Sequence, residues 1–409
     1  MPEENKKSLP GLKEKRYQQK KDIIGYLYKM ERLSKPQICR FTNMTTPTIS
    51  RIIDELITEG WVSDLGQGAS IGGKRPHIFS LNPDAAYMMG VDIGREQMKI
   101  AIFNLQKKVI GDIKIFPSIL ETNEKEDVLC DLKKRIDQTL VSLGIPAAKI
   151  KVAGFALPGL LDSDGNSYSY LTFENTNIQQ VLENMLHIPI FIDNDSSIIA
   201  MGEHAFGVAQ GAEHALCVSI SECIGLGMIL NSQPYTGCKG MAGEFGHIRI
   251  SGLEALCYCG KAGCLETVAS GRAIVKAAEN AIAKGRATSI SKFAKGPITL
   301  ESVIEASRHD DIFAIELLQK AGEKTGEGLS TLIHLFNPEL IVIGGEITGA
   351  GELITASIRQ AIDKYAFTRM KNQCEIKLSH LNDQACIYGT LALVMKQLYY
   401  DSNSSYSLY

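Results

Sequence analysis

The spacing of apolar residues changes near residue 83, and this change constrains the fold more than any other feature of the chain. After it, short apolar strands alternate with amphipathic helices. Strands are expected at 88–94 and 109–116, and helices are expected at 178–186, 197–206, 274–284, 300–308 and 312–336. With 409 residues, the chain is long enough for two or three domains. We therefore expect one domain at 1–83 and a second at 84–409. Before the change, apolar residues recur at the helical spacing i, i+3, i+4 and i+7, as in Ile49, Ile52, Ile53 and Leu56.

The first domain has the order helix, turn, helix, wing. The apolar spacing predicts a helix over 17–30, and Ser34 with Gln37 forms a capping box that begins a second helix. Thr45 caps a third helix, which Gly60 ends. The strand-like residues on either side of a glycine-rich stretch predict a hairpin wing. This order is typical of winged helix-turn-helix domains that bind DNA.

The third helix presents short hydroxyls and one cation opposite its apolar stripe. Small hydroxyl residues allow close approach to a major groove, arginine pairs with guanine, and wing cations neutralise phosphates. A protein-interaction module and a small dimerisation domain are the alternatives for this segment. We predict that the DNA-binding residues are Thr46, Pro47, Thr48, Ser50 and Arg51 on the helix, with Lys74 and Arg75 on the wing.

The net charge of −3 is divided unevenly along the chain. Residues 1–80 contain 14 Lys/Arg against 9 Asp/Glu, and the remainder contains 29 against 37. A basic first domain suits DNA, although an ordinary solvated tail would give the same excess. The N-terminal segment lacks an apolar signal region, and membrane-length apolar runs are absent from the sequence. We therefore expect a cytoplasmic protein without a membrane partner, whose ten cysteines are mostly reduced.

Three cysteines lie within eight residues of one another, at Cys257, Cys259 and Cys264, and His247 lies ten residues before the first. A Cys3His set has the number and type of ligands that a closed tetrahedral zinc site uses. The nearby glycines let the backbone wrap around a metal ion. We predict a structural zinc ion here, and three buried or redox-active thiols are the alternative.

The second domain resembles the ROK family, which groups bacterial sugar kinases with sugar-responsive repressors. The resemblance rests on Gly240-Met-Ala-Gly-Glu-Phe-Gly-His247 followed by the cysteine motif that ends at Glu266. It extends to the segments 154–159, 194–195, 337–339 and 344–345, and so covers nearly all of residues 85–395. The winged helix in front of this domain matches the repressor branch.

The resemblance implies an actin-like, duplicated ribonuclease-H-like fold with a sugar in a cleft between two lobes. The first lobe would span about 84–197 together with a C-terminal helix at about 384–400, and the second about 198–383. Asp195 occupies the position of the kinase base, although a helix cap is its alternative role. The implied sugar-binding residues are Asn175, Asn194, Asp195, Glu244, His247 and Glu266, of which His247 would contact both sugar and zinc.

The phosphate loops of the family's kinases are altered in this chain. The family's kinases have the motif Asp-x-Gly-Gly-Thr-Lys at the turn after the first strand of this domain, whereas this chain has Asp92-Ile-Gly-Arg-Glu-Gln97. A second loop, Gly-Thr-Gly in the family, is replaced by Ser221-Glu-Cys223. Carboxylates at these positions repel a triphosphate, so we expect ATP binding and catalysis to be lost while the sugar pocket is kept.

These observations predict a sugar-responsive DNA-binding regulator, a repressor of carbohydrate catabolism genes that a monosaccharide or its derivative releases. It would act as a homodimer or homotetramer, because an operator with two half-sites is bound by two recognition helices, one from each subunit. The alternatives are an ATP-dependent kinase of a hexose or N-acetylhexosamine with an appended DNA-binding domain, and a ligand-binding scaffold without DNA. The sequence leaves open the sugar, the operator and whether the ligand releases DNA or promotes its binding.

Overall fold

The computed structural model describes residues 11–68, 75–120, 125–172, 176–400 and 409. The helices are α1 (Leu12–Met30), α2 (Lys35–Thr42), α3 (Thr46–Thr58), α4 (Lys125–Ser142), α5 (Ile178–Leu186), α6 (Asp195–Phe206), α7 (Glu266–Ala269), α8 (Gly271–Ala283), α9 (Ile290–Phe293), α10 (Leu300–Arg308), α11 (Ile312–Phe336), α12 (Glu352–Tyr365), α13 (Thr368–Lys371) and α14 (Ala385–Met395). The strands are β1 (Leu33–Ser34), β2 (Val62–Gln67), β3 (His77–Leu81), β4 (Tyr87–Ile93), β5 (Gln97–Asn104), β6 (Lys114–Pro117), β7 (Ile150–Leu157), β8 (Ile190–Asn194), β9 (His214–Ile220), β10 (Ile224–Leu230), β11 (Gln233–Pro234), β12 (Leu340–Gly344) and β13 (Glu375–Leu378).

The N-terminal unit packs α1, α2 and α3 over one small sheet. The capping box of Ser34 and Gln37 is present at the start of α2, as the sequence predicts. The apolar stripe of α3 is fully buried, because its four large side chains face α1 and α2. The predicted wing is the antiparallel pair β2 and β3, in which Val62 lies opposite Leu81. The short strand β1 pairs with β3, which the sequence pattern did not predict.

The rest of the chain is built around two five-stranded sheets, which have the same topology. The first sheet runs β6-β5-β4-β7-β8, and the second runs β11-β10-β9-β12-β13. In each sheet the first two connections are antiparallel and the last two are parallel. This repeated arrangement confirms the predicted duplicated, actin-like α/β fold behind a winged helix.

Helices α6 and α14 cross so closely that only glycine fits at their contact. A Cβ atom on Gly389 would overlap the backbone carbonyl of Ile198, and one on Gly202 would overlap the carbonyl of Ala385. Helix α14 also packs on β4 and β7 of the first sheet. The crossing therefore fixes α6, whose first residue is Asp195.

Three predicted boundaries were wrong in detail. The strand expected at 109–116 forms only at β6, because Val109 makes a single bridge to Phe103 before the chain turns at Gly111. The helix expected from Ser197 begins two residues earlier, because the Asn194 side chain accepts a hydrogen bond from the Ser196 amide. The helix expected from residue 274 begins at 271, after the Ser270 cap.

The winged helix shares a hydrophobic core with the first sheet. Side chains of α1, including Leu27 and Tyr28, join those of Met88 on β4 and of Leu391 on α14 in one buried cluster. The Tyr28 hydroxyl donates to the Met88 sulfur at 3.5 Å. The winged helix and the first sheet are therefore in direct contact through buried side chains.

Candidate functional site

The predicted metal ligands come together in the structure. The ligand atoms of His247, Cys257, Cys259 and Cys264 all lie within 4.8 Å of one another. His247 ends a short 3-10 turn after β11, and the three thiols lie on the loop that leads into α7. A bridge between Arg249 and Cys264 draws the two segments together.

The spacing of these atoms fits a tetrahedral zinc ion. A zinc–sulfur bond of about 2.3 Å places two sulfur ligands about 3.8 Å apart at the tetrahedral angle. The Sγ atoms of Cys259 and Cys264 lie 3.7 Å apart, and Cys257 Sγ lies 3.7 Å from Nδ1 of His247. The four residues therefore suit a closed structural zinc site, in which the metal would hold the loop in place.

His247 lies between the three cysteines and the predicted sugar-binding residue Glu244. Its Nδ1 faces the thiol of Cys257, while its Nε2 lies 3.1 Å from the Tyr258 hydroxyl and 3.9 Å from the carboxylate of Glu244. Burial raises the pKa of Glu244, which the nearby Asp195 and Glu266 raise further. These carboxylates therefore lie close enough to interact across the cleft.

Asn194 and Asp195 follow the carboxyl end of β8. Asn194 donates to the Gly159 carbonyl at 2.7 Å and caps α6 through its side-chain oxygen. Asn194 is thus the N-cap of α6, and the alternative hypothesis that Asp195 is the cap was wrong. Asp195 lies in the first helical turn, where its carboxylate accepts a hydrogen bond from the Ser196 amide at 2.7 Å. Burial raises the pKa of Asp195.

Glu266 is buried at the start of α7, with 3% of its surface exposed. One carboxylate oxygen accepts from the Ile224 amide at 2.9 Å, and the other lies 3.4 Å from the guanidinium of Arg272. One oxygen is therefore held by the backbone of β10, and the other faces the cleft side chains. Asn175, the remaining predicted sugar contact, lies outside the described residues.

The altered phosphate loops bring Arg95 and Cys223 together. The Arg95 guanidinium donates to the Cys223 sulfur at 2.9 Å, across the space between the two sheets. Three carboxylates, those of Glu96, Glu222 and Glu346, lie in the same region. Burial raises the pKa of Glu346, and the nearby charges of Glu96 and Glu222 raise it further. An acidic surface thus replaces the glycine-rich loops that cradle phosphates in kinases.

Sequence reasoning missed three residues of the cleft. These are Tyr258, Arg272 and Tyr170. The Arg272 guanidinium lies 4.7 Å from the ring centre of Tyr258, and that of Arg95 lies 5.6 Å from the ring centre of Tyr170. The position of Tyr258 between two cysteines was a signal that could have identified it. The other two are brought in only by the fold.

The predicted DNA-binding face of α3 lies on the surface. Thr46, Pro47 and Arg51 are exposed, with 78% of the Arg51 side chain accessible, while Thr48 and Ser50 are partly exposed. Arg75 is exposed beside the wing, and Lys74 lies outside the described residues.

Among the described residues, no helix is both long enough and apolar enough to cross a membrane.

Two family models match the chain. The model of the ROK family matches residues 88–397, and that of the MarR family matches residues 18–68. A putative xylose repressor of Caldicellulosiruptor sp. (strain Rt8B.4) is 27% identical over 90% of this chain and 92% of its own length. The transcriptional dual regulator NagC of Escherichia coli (strain K12) is 28% identical, over 90% of this chain and 89% of its own length.

Solved structures share the fold. A ROK family transcriptional regulator, a homolog of the E. coli MLC protein, superposes with a TM-score of 0.75 at 24% identity and covers 92% of this chain and 96% of its own. A ROK family glucokinase from Streptomyces griseus gives a TM-score of 0.64 at 24% identity over 75% of this chain and 98% of its own. The ROK family match covers nearly the whole two-sheet body and includes the four clustered residues His247, Cys257, Cys259 and Cys264. The chain therefore belongs to the ROK family.

Proposed function

We propose that this protein is a sugar-responsive transcriptional repressor, which binds operator DNA through α3 and the wing and binds a monosaccharide or its derivative in the cleft. The observation that carries the proposal is the shared core that joins Tyr28 of the winged helix to Met88 of the sugar-kinase-like body. The relatives named xylose repressor and NagC support it. The controlled genes would serve carbohydrate catabolism.

The proposed mechanism is linkage between two binding sites. A sugar held by Glu244, His247 and Asp195 would draw the two sheets together, and the shared core would carry that movement to the winged helix. In a homodimer or homotetramer, this movement would change the spacing between two α3 helices. A coupling of about 1 to 3 kcal/mol would weaken operator binding by roughly 5- to 150-fold.

We further propose that the protein does not transfer phosphate. Asp195 is retained at the position of the kinase base, but Glu96 and Glu222 line the region where a triphosphate would lie. ATP therefore is not the expected cofactor. The expected bound ion is zinc, with a structural role at the Cys3His cluster.

Replacing Arg51 by alanine is expected to weaken binding to operator DNA by about 1 to 3 kcal/mol, because an exposed arginine on the recognition helix loses its base contact. DNA fragments selected by the native protein would be used in a gel-shift titration. Arg286→Ala, on the second-sheet side of the molecule, is the matched control. Equal affinity of the Arg51 variant and this control would contradict the predicted DNA face.

Sugar binding is expected to release the selected DNA without turnover of ATP. Thermal unfolding with a panel of monosaccharides identifies the ligand, because a ligand that binds only the folded state raises the melting temperature. The gel shift is then repeated with that sugar, and ATP consumption is followed by a coupled assay. Steady ATP consumption would favour the kinase function, for which the retained Asp195 and the fold shared with a glucokinase are the supporting observations.

A further inference from the structure

Tyr409 lies against the winged helix, far from its neighbours in the sequence. Its ring meets the indole of Trp61 edge to face, with 5.2 Å between the ring centres, and lies 5.4 Å from the ring of Tyr17. The ammonium group of Lys20 lies 5.8 Å from the centre of the same ring. Two side chains of α1 and the residue before β2 thus surround one aromatic ring, in contacts that favour aromatic and cationic partners.

Two hydrogen bonds fix the orientation of Tyr409 at this place. Its hydroxyl donates to a carboxylate oxygen of Glu59 at 2.8 Å, and the Tyr17 hydroxyl donates to the main-chain oxygen of Tyr409 at 2.6 Å. The side chain is therefore held at the end of α3, and the main chain is held by α1. Apolar contact alone has no preferred direction, whereas hydrogen bonds do. We name Tyr17, Lys20, Glu59 and Trp61 the Tyr409 cradle.

The Tyr409 cradle is continuous with charged side chains of α3, the predicted recognition helix. Lys20, with 9% of its side chain exposed, pairs with Glu59 and lies 3.2 Å from a carboxylate oxygen of Glu55. Glu55 in turn lies 3.5 Å from the guanidinium of Arg51, a predicted DNA-binding residue. Because Tyr409 covers the Lys20 side chain, it keeps this lysine between α1 and the carboxylates of α3.

Tyr409 also joins the winged helix to the body of the protein. Its side chain packs against the buried cluster that contains Leu27 of α1 and Leu398. Leu398 lies in the π-helical turn Lys396–Tyr400, which follows α14 of the body. Tyr409 is only nine residues beyond this turn in the covalent chain. Contacts that hold Tyr409 in its cradle therefore also limit how far the winged helix can move from the body.

We propose that Tyr409 is a positioning residue for DNA binding, which fixes the angle between the winged helix and the body and thereby the spacing of the two α3 helices in the proposed dimer. This inference rests on the proposed function, since it gives Tyr409 a part in operator recognition. The contact of Tyr28 with Met88 is one attachment, and the contact of Tyr17 with Tyr409 is a second, roughly 16 Å away along α1. Two separate attachments prevent a rotation that one alone would permit.

Trp61 is the single tryptophan of the chain, so its fluorescence reports directly on the Tyr409 cradle. The native full-length protein is compared with Tyr409→Ala and Tyr409→Phe, and Tyr365→Ala, at an exposed tyrosine of α12, is the matched control. Tyr409→Ala is expected to shift the Trp61 emission to longer wavelength and to increase its quenching by acrylamide, because the ring beside the indole is lost. Tyr409→Phe keeps the ring and is expected to retain nearly native emission.

Gel-shift titration of the same proteins measures the effect on DNA binding. DNA fragments selected by the native protein are used whole and also cut to a single half-site. We expect Tyr409→Ala to bind the whole fragment at least about fivefold more weakly, the effect of losing one aromatic pair and one hydrogen bond. Tyr409→Phe loses only the bond to Glu59 and is expected to show a smaller loss. Both variants are expected to bind the half-site with native affinity, because one winged helix needs no fixed spacing.

The outcomes separate this inference from the proposed function. Unchanged Trp61 emission in Tyr409→Ala shows that Tyr409 does not occupy its cradle in solution and overturns the inference. Changed emission with native affinity for the whole fragment, or an equal loss on the half-site, overturns the positioning role and leaves DNA binding by the winged helix intact. If the alanine variant fails to fold, a loss in Tyr409→Phe confined to the whole fragment supports the inference, and its absence overturns it. If the native protein selects no DNA, the proposed function fails together with the inference.

Discussion

Replacing Cys264 by serine is expected to abolish the proposed zinc binding and to destabilise the loop at 248–265. Serine is a poor zinc ligand. Packing holds the loop mainly towards its two ends, where Ile250 and Leu265 are buried, whereas Leu256 nearer its tip is exposed. Loss of a metal is among the changes that cost about 4 kcal/mol or more of folding free energy. Zinc content by atomic emission and thermal unfolding would measure both effects.

The same variant is expected to lose its sugar response. His247 faces Glu244 and Tyr258 with one ring nitrogen and the thiol of Cys257 with the other, which a zinc ion would hold. Loss of that ion would therefore release the ring from its position beside Glu244. The matched control is Cys238→Ser, because this exposed cysteine lies outside the cluster. Native zinc content in the Cys264 variant, or an equal loss in the Cys238 variant, would be evidence against a Cys3His site.

Replacing Gly389 by alanine is expected to destabilise the body of the protein by about 3 kcal/mol, because overpacking forces well-packed elements apart. The added Cβ would overlap the backbone carbonyl of Ile198, which cannot rotate away as a side chain can. Helices α6 and α14 would separate, and Asp195, three residues before Ile198, would move with α6. Thermal unfolding would measure the loss of stability, and sugar affinity would report the displaced site.

Gly296→Ala is the control for this substitution. An added Cβ at Gly296 meets no atom within 4 Å, so the melting temperature should remain within the error of the native value. If the Gly389 and Gly296 variants had the same melting temperature, the close crossing of α6 and α14 would not exist in solution.

The metal site and the cleft differ in how far the sequence predicted them. The cysteines are so close in the chain that any compact loop brings them together, and one histidine completes the set. The predicted sugar-binding residues come from β8, from the start of α6, from the segment after β11 and from α7. Their meeting therefore depends on the packing of two sheets. The residues of the cleft were predicted through the resemblance to the ROK family rather than through spacing.

The errors in the predicted elements have local causes. The start of α6 was misplaced because Asn194 competes with Asp195 for the role of cap, and only the backbone geometry decides between them. The strand after residue 108 was predicted too long because its apolar residues alternate as in a strand, but Gly111 turns the chain with a φ of 65°. Strand β1 was missed because two residues are too few to show a period.

The sequence by itself determined the elements whose cause is local. Apolar period, caps and turns are properties of neighbouring residues, and these specified the winged helix, α5, α10, α11 and the cysteine cluster. Only the tertiary structure decided the meeting of Arg95, Cys223 and Arg272, the glycine crossing of α6 and α14, and the core shared by Tyr28 and Met88. These contacts join residues 49 to 191 positions apart. Their geometry depends on how whole sheets and helices pack, which no local pattern encodes.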